Sequence, residues 1–143
     1  MEQEDYLKRQ IDQLGRVLGK ILADLIGLKT QGQASSSIEA TDQALKNELG
    51  LNLNDLTSIP PVELINILQA DKKLSTEIVE ELAEILFLIA EDIEQNSKAN
   101  KKKQEFYERS LILYEYADTS GTTYSFDRHL KIANIKNLID KQD

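Results

Sequence analysis

The chain of 143 residues is 41 % hydrophobic, so it is long and apolar enough to fold as one globular domain over residues 1–143. Six glycines and two prolines are too few for the frequent turns of a β-sandwich or barrel, and the lack of cysteine with a single histidine excludes disulfide scaffolds, zinc ribbons and thiol catalysis. The net charge of −8 would repel phosphate, so nucleic acid is not an expected partner.

The first predicted element is a long amphipathic helix over residues 4–29. Its large aliphatic side chains recur at spacings of four and three residues, so they form one stripe along the helix. They are Leu7, Ile11, Leu14, Leu18, Ile21, Leu25 and Leu28. Gly15 and Gly19 fall on the edge of this stripe, beside Leu22. Because glycine costs about 1 kcal/mol relative to alanine inside a helix, we expect another backbone to approach this edge closely.

The approaching backbone belongs either to the same chain or to a second copy, and the pattern leaves both open. The predicted interaction surface, for self-association or for a protein partner, consists of Leu7, Ile11, Leu14, Gly15, Leu18, Gly19 and Leu22. A membrane surface is the alternative partner, because residues 8–29 hold five basic and two acidic side chains opposite a broad apolar face. Residues 1–5 lack the positive charge and apolar run of a signal peptide, so we expect a cytoplasmic protein.

Residues 29–36 contain no large apolar side chain and indicate a connector. Ser36 and Glu39 have the spacing of a capping box, which predicts a second helix over residues 37–49. Gly50 stands where a left-handed C-terminal cap belongs.

Short helices are predicted to continue through the rest of residues 37–74. Residues 51–59 alternate leucine with asparagine and aspartate, which indicates an irregular, partly buried crossing. Ser58 before two prolines suits the start of a third helix over residues 62–69.

Three longer helices are predicted in the C-terminal half. Ser75 caps the first, over residues 76–95, and its apolar run at residues 85–90 is typical of a central helix that is covered on several sides. The next helix covers residues 99–118 and ends in a turn at Gly121. Ser125 caps the last helix.

Charge is segregated along these helices. Residues 75–97 hold seven acidic side chains and no basic one, whereas residues 98–143 hold nine basic and seven acidic ones. The acidic segment could form a groove for a basic partner segment. The favoured interpretation is that it pairs with the lysines that follow, because surface carboxylates are usually solvated or weakly paired. Those lysines are Lys98, Lys101, Lys102 and Lys103.

Motifs that carry chemistry are absent. Glu77, Glu81 and Glu84 lack the Glu-x-x-His pairs of a di-iron bundle, and His129 without a second nitrogen or sulfur ligand is a weak metal site. No phosphate-binding loop or nucleophile elbow occurs. We therefore predict no catalytic residue, no metal and no cofactor. An enzyme that uses carboxylates alone is the least favoured alternative.

Four aromatic side chains lie on the helix over residues 99–118, where they could form core or line a recognition groove; core is the commoner role of such a stripe. They are Phe106, Tyr107, Tyr114 and Tyr116.

The run from Glu105 to Asp118 resembles the second helix of a tetratricopeptide repeat. Tyr107 matches the aromatic residue of that family and Ser110-Leu111 matches its Ala-Leu pair, although Lys103 stands where a small alanine is usual and the preceding Trp and Leu-Gly pair are missing. This resemblance covers about residues 78–140.

The opening Asp5-Tyr-x-x-Arg9-x-Ile11 also resembles the start of a bacterial family with a long N-terminal helix and tetratricopeptide-like hairpins. These resemblances imply antiparallel helix pairs over residues 75–143, stacked in a right-handed superhelix, and protein binding rather than catalysis. The whole prediction is an all-α protein-interaction or scaffold domain of five to six helices, with the long helix covering the hairpins or joining a second chain.

Overall fold

The fold is all-α in the part of the chain that the structure, a computed structural model, describes: residues 13, 15–24, 26, 34–71, 75–92, 99–121 and 124–142. Helix α1 comprises residues 15–24. The helices that follow are α2 (Ala34–Leu49), α3 (Leu53–Ser58), α4 (Pro61–Asn66), α5 (Thr76–Asp92), α6 (Ala99–Ser120) and α7 (Phe126–Gln142), and a π-helical turn (Ile67–Asp71) extends α4. The described ranges thus hold seven α-helices, where five to six were expected. Across them, no helix combines the length and apolarity needed to cross a membrane.

The additional helix is α3, in the segment over residues 51–59 that was predicted to be irregular; that prediction is wrong. The Asn52 side chain accepts a hydrogen bond from the Asp55 N–H at 2.8 Å, and the Asp55 carboxylate accepts one from the Asn52 N–H at 3.0 Å. Asp42 of α2 accepts a third bond from the Leu53 N–H at 2.7 Å. A helix of six residues is too short to be stable alone, so these bonds at its first turn hold it in place.

The ends of α2 show one wrong prediction and one confirmed one. Residues 34–36 are already helical, so Ser36 lies inside α2 and cannot be its N-cap. Gly50 has a φ of 77°, and its N–H donates to the Lys46 carbonyl at 3.0 Å, as the predicted left-handed cap requires. Ser58, the predicted start of the third helix, is instead the last residue of α3, and α4 begins at Pro61.

Helix α5 lies at the centre, as its apolar run predicts. Leu82, Ile85 and Leu86 are fully buried, and within residues 85–90 only Leu88 is partly exposed. The predicted cap is confirmed, because the Ser75 hydroxyl accepts a hydrogen bond from the Ile78 N–H at 3.3 Å. Helix α5 is therefore covered on more than one side, and α6 and α7 are two of the helices that lie beside it.

Helix α6 packs along α5 in the opposite direction. The rings of Tyr107 and Phe87 have their centroids 5.9 Å apart, and the Ser110 hydroxyl donates to the Ala83 carbonyl at 2.6 Å. Residues later in α6 thus meet residues earlier in α5. The predicted turn before Gly121 is wrong, because α6 stays helical to Ser120.

Helix α7 returns alongside α5 in the same direction. The Ser125 hydroxyl accepts a hydrogen bond from the Arg128 N–H at 3.1 Å, which confirms the predicted cap. Arg128 is ion-paired with Glu80, and Lys131, one turn later, is ion-paired with Glu84. Later residues of α7 thus meet later residues of α5, so the two helices are parallel.

Helix α3 is joined to α6 through a buried arginine. The Arg109 side chain is 9 % exposed, and its Nη2 donates to the Thr57 carbonyl at 2.9 Å and to the Ile59 carbonyl at 3.2 Å. Lys102 adds a bond of 3.0 Å from its Nζ to the Thr57 hydroxyl. The two Arg109 bonds satisfy carbonyls at the C-terminal end of α3, for which the helix has no backbone N–H of its own.

Helix α1 packs against α5 within the same chain. A Cβ built on Gly15 would lie 3.8 Å from Cγ1 of Ile78, and one built on Gly19 would lie 3.6 Å from Oε2 of Glu81. These are side-chain atoms at ordinary van der Waals distance. The expectation that a backbone crosses closely at Gly15 and Gly19 is therefore wrong, since each position has room for a methyl group.

Candidate functional site

A groove opens between α5 and α7, with α6 as its floor, and encloses a volume of about 660 Å³. We call it the acidic groove, because five of its lining side chains are carboxylates and two are cations. It is lined by Glu77, Glu80, Glu81, Glu84, Tyr114, Asp127, Arg128, Leu130, Lys131 and Asn134. The α5 carboxylates occur at spacings of three and four residues, so they form one stripe along the helix.

Two of these carboxylates are ion-paired with α7. Arg128 Nη1 lies 3.3 Å from Oε2 of Glu80, and Lys131 Nζ lies 3.3 Å from Oε1 of Glu84. Arg128 is 7 % exposed and is anchored from the other side by Asp118 of α6, whose Oδ1 is 3.0 Å from its Nε. Hydrogen bonding to Asp118 raises the pKa of Arg128 further, so the cation is permanent.

The cations that pair with Glu80 and Glu84 come from α7 and are not among the four predicted lysines. Lys102 contacts α3 and, at 3.8 Å, Glu105 of its own helix. Lys103 is buried, with its Nζ 6.0 Å from the centre of the Tyr107 ring, and Lys98 lies outside the described residues. Basic side chains from the C-terminal part of the chain do pair with the acidic stripe, as the charge pattern predicts. They come from α7, however, and not from α6, which directly follows α5 in the sequence.

Three carboxylates of the acidic groove have no cation within the described residues: Glu77, Glu81 and Asp127. Partial burial, and next the charge of Glu84 one turn away, raise the pKa of Glu81. Like charges in a partly desolvated site repel each other. The groove therefore has an excess of negative charge that the described residues do not neutralise.

Tyr114 forms the floor of the acidic groove. It is 2 % exposed, yet it lines the groove, and its hydroxyl makes no hydrogen bond within the part of the chain that the structure describes. Burial first, and then the charges of Glu84 and Glu80, raise its pKa, so the hydroxyl stays protonated. Tyr107, another residue of the predicted aromatic stripe, is enclosed in the core, where burial and the charge of Glu91 raise its pKa to about 12. The aromatic stripe thus supplies both core and groove.

Apolar side chains continue from the acidic groove along α7. Leu130 lines the groove and is 53 % exposed, and Phe126, one turn earlier, is 63 % exposed. Residues four apart lie on the same helix face. Negative charge and exposed apolar surface therefore lie side by side.

The α1 residues of the predicted interaction surface face the chain's own core where they are described. Leu18 is fully buried, Leu22 is partly buried against the core, and Gly15 and Gly19 face α5. The remaining predicted residues, Leu7, Ile11 and Leu14, lie outside the described residues.

His129 takes part in a pairing at the junction of α6 and α7. Its Nε2 lies 3.1 Å from Oδ1 of Asp118, and its ring centroid is 4.8 Å from that of Tyr124. Among the described residues, no group of three or more histidine, aspartate or glutamate side chains is placed to hold a metal ion.

Sequence reasoning offered an acidic groove only as the less favoured interpretation of the acidic segment, and it did not identify the opposite wall. The missing information is tertiary, since nothing in the sequence indicates that α7 lies beside α5. The sequence does indicate part of the opposite wall, which α7 forms, because its lining residues have the spacing of one helix face. These residues are Asp127, Leu130, Lys131 and Asn134.

Comparison with known proteins gives no relative from which to transfer a function: no family model, no curated protein and no solved structure matches this chain.

Proposed function

We propose that this chain is a non-catalytic protein-interaction domain that binds a basic, amphipathic segment of a partner protein along the acidic groove. The observation that carries the proposal is the union, in one groove, of three carboxylates that lack a cation among the described residues with the exposed side chain of Leu130. A partner helix with lysines on one side and large apolar side chains on the other complements both features.

The charge of the groove selects the class of partner. Phosphate-bearing partners are disfavoured, because the α5 stripe would repel them. Free acidic peptides are disfavoured for the same reason. A basic segment gains electrostatic attraction during its approach, and Leu130 and Phe126 add apolar area that desolvates on contact.

Binding fits the positions of the carboxylates better than hydrolysis does. A pair of catalytic acids must face each other across a substrate. Four of the five groove carboxylates lie on α5, and Asp127 is the one from the opposite wall. The negative charge is therefore concentrated on one wall, which favours the attraction of a cation.

The helix order over residues 75–143 supports the proposed tetratricopeptide-like hairpins. Helices α5 and α6 run in opposite directions, and α7 then lies beside α5. The small residue Ser110, which matches the family's alanine, lies at the crossing of α5 and α6, where its hydroxyl donates to the Ala83 carbonyl at 2.6 Å. Small residues at such a crossing let two helix backbones approach, as stacked hairpins require.

Self-association or membrane anchoring through the N-terminal helix has less support. Both need a free apolar stripe, but Leu18 is 0 % and Ile21 is 9 % exposed, both within the core of this chain. We therefore propose that the helix covers α5 in the same chain, and that the cytoplasmic domain binds its partner elsewhere.

The test uses fluorescein-labelled helical peptides composed of lysine and leucine, with a glutamate and leucine peptide of the same length as the charge-reversed probe. Fluorescence anisotropy should show binding of the basic peptide only, and added salt should weaken it. The Phe126→Ser/Leu130→Ser double variant should bind at least about tenfold more weakly, since each substitution removes on the order of 1 kcal/mol of apolar contact.

The matched control is Val62→Ser, which removes a side chain that is 75 % exposed on α4, away from the groove. It should bind the basic peptide as the original chain does. Equal binding of the acidic peptide, or an unchanged affinity of the double variant, would contradict the proposed function.

A further inference from the structure

Tyr114 is an exception among the buried polar side chains near the acidic groove. The buried hydroxyl of Ser110 donates to a carbonyl at 2.6 Å and that of Thr57 to one at 3.3 Å. Tyr114 as a whole residue is 2 % exposed, and its hydroxyl has no such partner among the described residues. The hydroxyl oxygen is not itself a buried atom without a partner, since it opens onto the groove that Tyr114 lines. A polar group that enters the groove therefore has a hydrogen-bonding group to meet at the floor.

The surroundings of this hydroxyl favour a cationic partner. Glu80 and Glu84 are close enough to raise the pKa of Tyr114, and Glu77 and Glu81 line the same groove without a cation among the described residues. A phenol oxygen accepts hydrogen bonds, and its ring attracts cations through its face. An anion would meet the repulsion of the whole stripe.

The protein already holds one ammonium group in this way. Lys131 Nζ lies 3.3 Å from Oε1 of Glu84 and 5.2 Å from the centre of the Phe87 ring, so a carboxylate and an aromatic ring share it. Tyr114 and the carboxylates that line the groove offer the same two kinds of group, an aromatic ring and a negative charge. A primary ammonium suits such a site better than a guanidinium, because its three donors point in different directions and its charge is compact.

We propose that the floor of the acidic groove is a subsite for one protonated primary amine, which donates to the Tyr114 hydroxyl oxygen and is neutralised by Glu77 and Glu81. In the complex with a partner this amine is a lysine side chain, and in that respect the inference rests on the proposed function. A free aliphatic diamine carries the same chemistry and is the second source that the experiment separates.

The experiment follows tyrosine ring resonances by NMR in chain labelled with ¹³C-tyrosine, with Tyr114→Phe used to assign Tyr114. The probes are cadaverine and Nα-acetyl-lysine methylamide, and the apolar control is Nα-acetyl-norleucine methylamide. Both amines should shift the Tyr114 resonance, and the norleucine compound should not. Because Tyr114→Phe lacks this resonance, isothermal titration calorimetry compares amine binding to the original chain and to the variants. Loss of the hydroxyl in Tyr114→Phe should weaken amine binding about tenfold, as is typical of removing a hydrogen bond to a charged group.

The matched control is Tyr124→Phe, which removes a hydroxyl from a tyrosine that is 69 % exposed and does not line the groove. It should leave amine binding unchanged. The Glu77→Gln/Glu81→Gln variant should also lose affinity for both amines. Circular dichroism of each variant shows whether it retains the helical fold, and both tyrosine variants keep the aromatic ring.

The sources are separated with the basic peptide used above. Replacing its lysines one at a time by norleucine should reveal one position whose loss weakens binding to the original chain but not to Tyr114→Phe. If cadaverine binds with this dependence on Tyr114 and the peptide does not bind, the subsite stands and the proposed function fails. If the peptide binds the original chain and Tyr114→Phe equally, the proposed function stands and the subsite is wrong.

Discussion

Helix α5 is contacted in two different ways on its two sides. Toward α6 the contact is close: the ring of Phe87 packs against the ring of Tyr107, and the Ser110 hydroxyl donates to the Ala83 carbonyl at 2.6 Å. Toward α7 the contact is made by the ends of long charged side chains, and a groove of about 660 Å³ remains between the helices.

The difference shows how one helix can serve stability and binding at once. Short side chains bring two backbones together and exclude water, which gives the largest packing energy for each residue buried. Ion pairs between long side chains hold α7 at a distance and contribute less. We expect substitutions toward α6 to change folding, and substitutions toward α7 to change binding.

The largest change in the free energy of unfolding is expected when an aromatic side chain between α5 and α6 is removed. Tyr107→Ala should lower the free energy of unfolding by about 3–5 kcal/mol, because it leaves a cavity against Phe87. Leu130→Ala, on the α7 side, should change it by less than about 0.5 kcal/mol, since that side chain is 53 % exposed. Urea denaturation of both variants measures the two effects. Equal losses would mean that the two sides of α5 do not differ.

The next effect concerns the one buried cation on the α7 side. Arg128→Met should destabilise the fold by about 1.5–3 kcal/mol, because Glu80 and Asp118 lose a charged hydrogen-bond partner. Lys131→Met removes a more exposed pair and should cost less than about 1 kcal/mol. Thermal unfolding of the two variants tests this order, and a larger loss for Lys131→Met would contradict it.

The contact of α1 with α5 is a third case, because it leaves room for a methyl group at Gly15 and Gly19. Gly15→Ala should stabilise the chain by up to about 1 kcal/mol through helix propensity, as the new methyl group reaches Ile78 only at 3.8 Å. Gly50→Ala is the control with the opposite sign, since its φ of 77° costs a side chain about 1–2 kcal/mol. A destabilised Gly15→Ala would show that α1 lies closer to α5 than described.

The smallest expected effect is that of a single charge on the acidic stripe. The pKa of Glu81 is raised in the folded chain by burial and by Glu84, so its ionised form opposes folding at neutral pH. Glu81→Gln should therefore raise the free energy of unfolding at pH 7 by about 0.2–0.5 kcal/mol, the size of a like-charge contact one turn apart.

The sign of this effect follows from proton linkage. A carboxyl whose pKa is raised by folding stabilises the fold when it is protonated, and this contribution is lost as the pH rises through its folded pKa. The gain from Glu81→Gln should accordingly vanish below about pH 4, where the carboxyl is protonated in both states. Chemical denaturation at the two pH values tests this, and a gain that persists in acid would contradict it.

Local signals in the sequence were sufficient for much of the fold. Ser75, Gly50 and Ser125 mark helix ends by hydrogen bonds within a few residues, and the run over residues 85–90 indicates burial on several sides wherever the neighbours come from. Helix α3, in the segment over residues 51–59 that was predicted to be irregular, also has a local signal, because Asn52 and Asp55 have capping-box spacing. Its third N-terminal bond comes from Asp42 on another helix, which no local pattern contains.

The groove was less accessible to sequence reasoning than the helices were. The acidic stripe of α5 is visible in the sequence, but its partners depend on which helix lies beside it. Arg128 and Lys131 follow the stripe by more than forty residues, so only the three-dimensional path of the chain brings them together. The role of Tyr114 depends in the same way on the gap between α5 and α7.

The guanidinium of Arg109 has a consequence for how the domain opens. From the middle of α6, it donates hydrogen bonds to the carbonyls of Thr57 and Ile59. Detachment of α3 from α6 would break both bonds at once. Six residues of helix would ordinarily fray within microseconds and exchange their amide hydrogens quickly. Tied to Arg109, the amides of α3 should instead exchange at the pace of α6, so the two segments behave as a single cooperative unit.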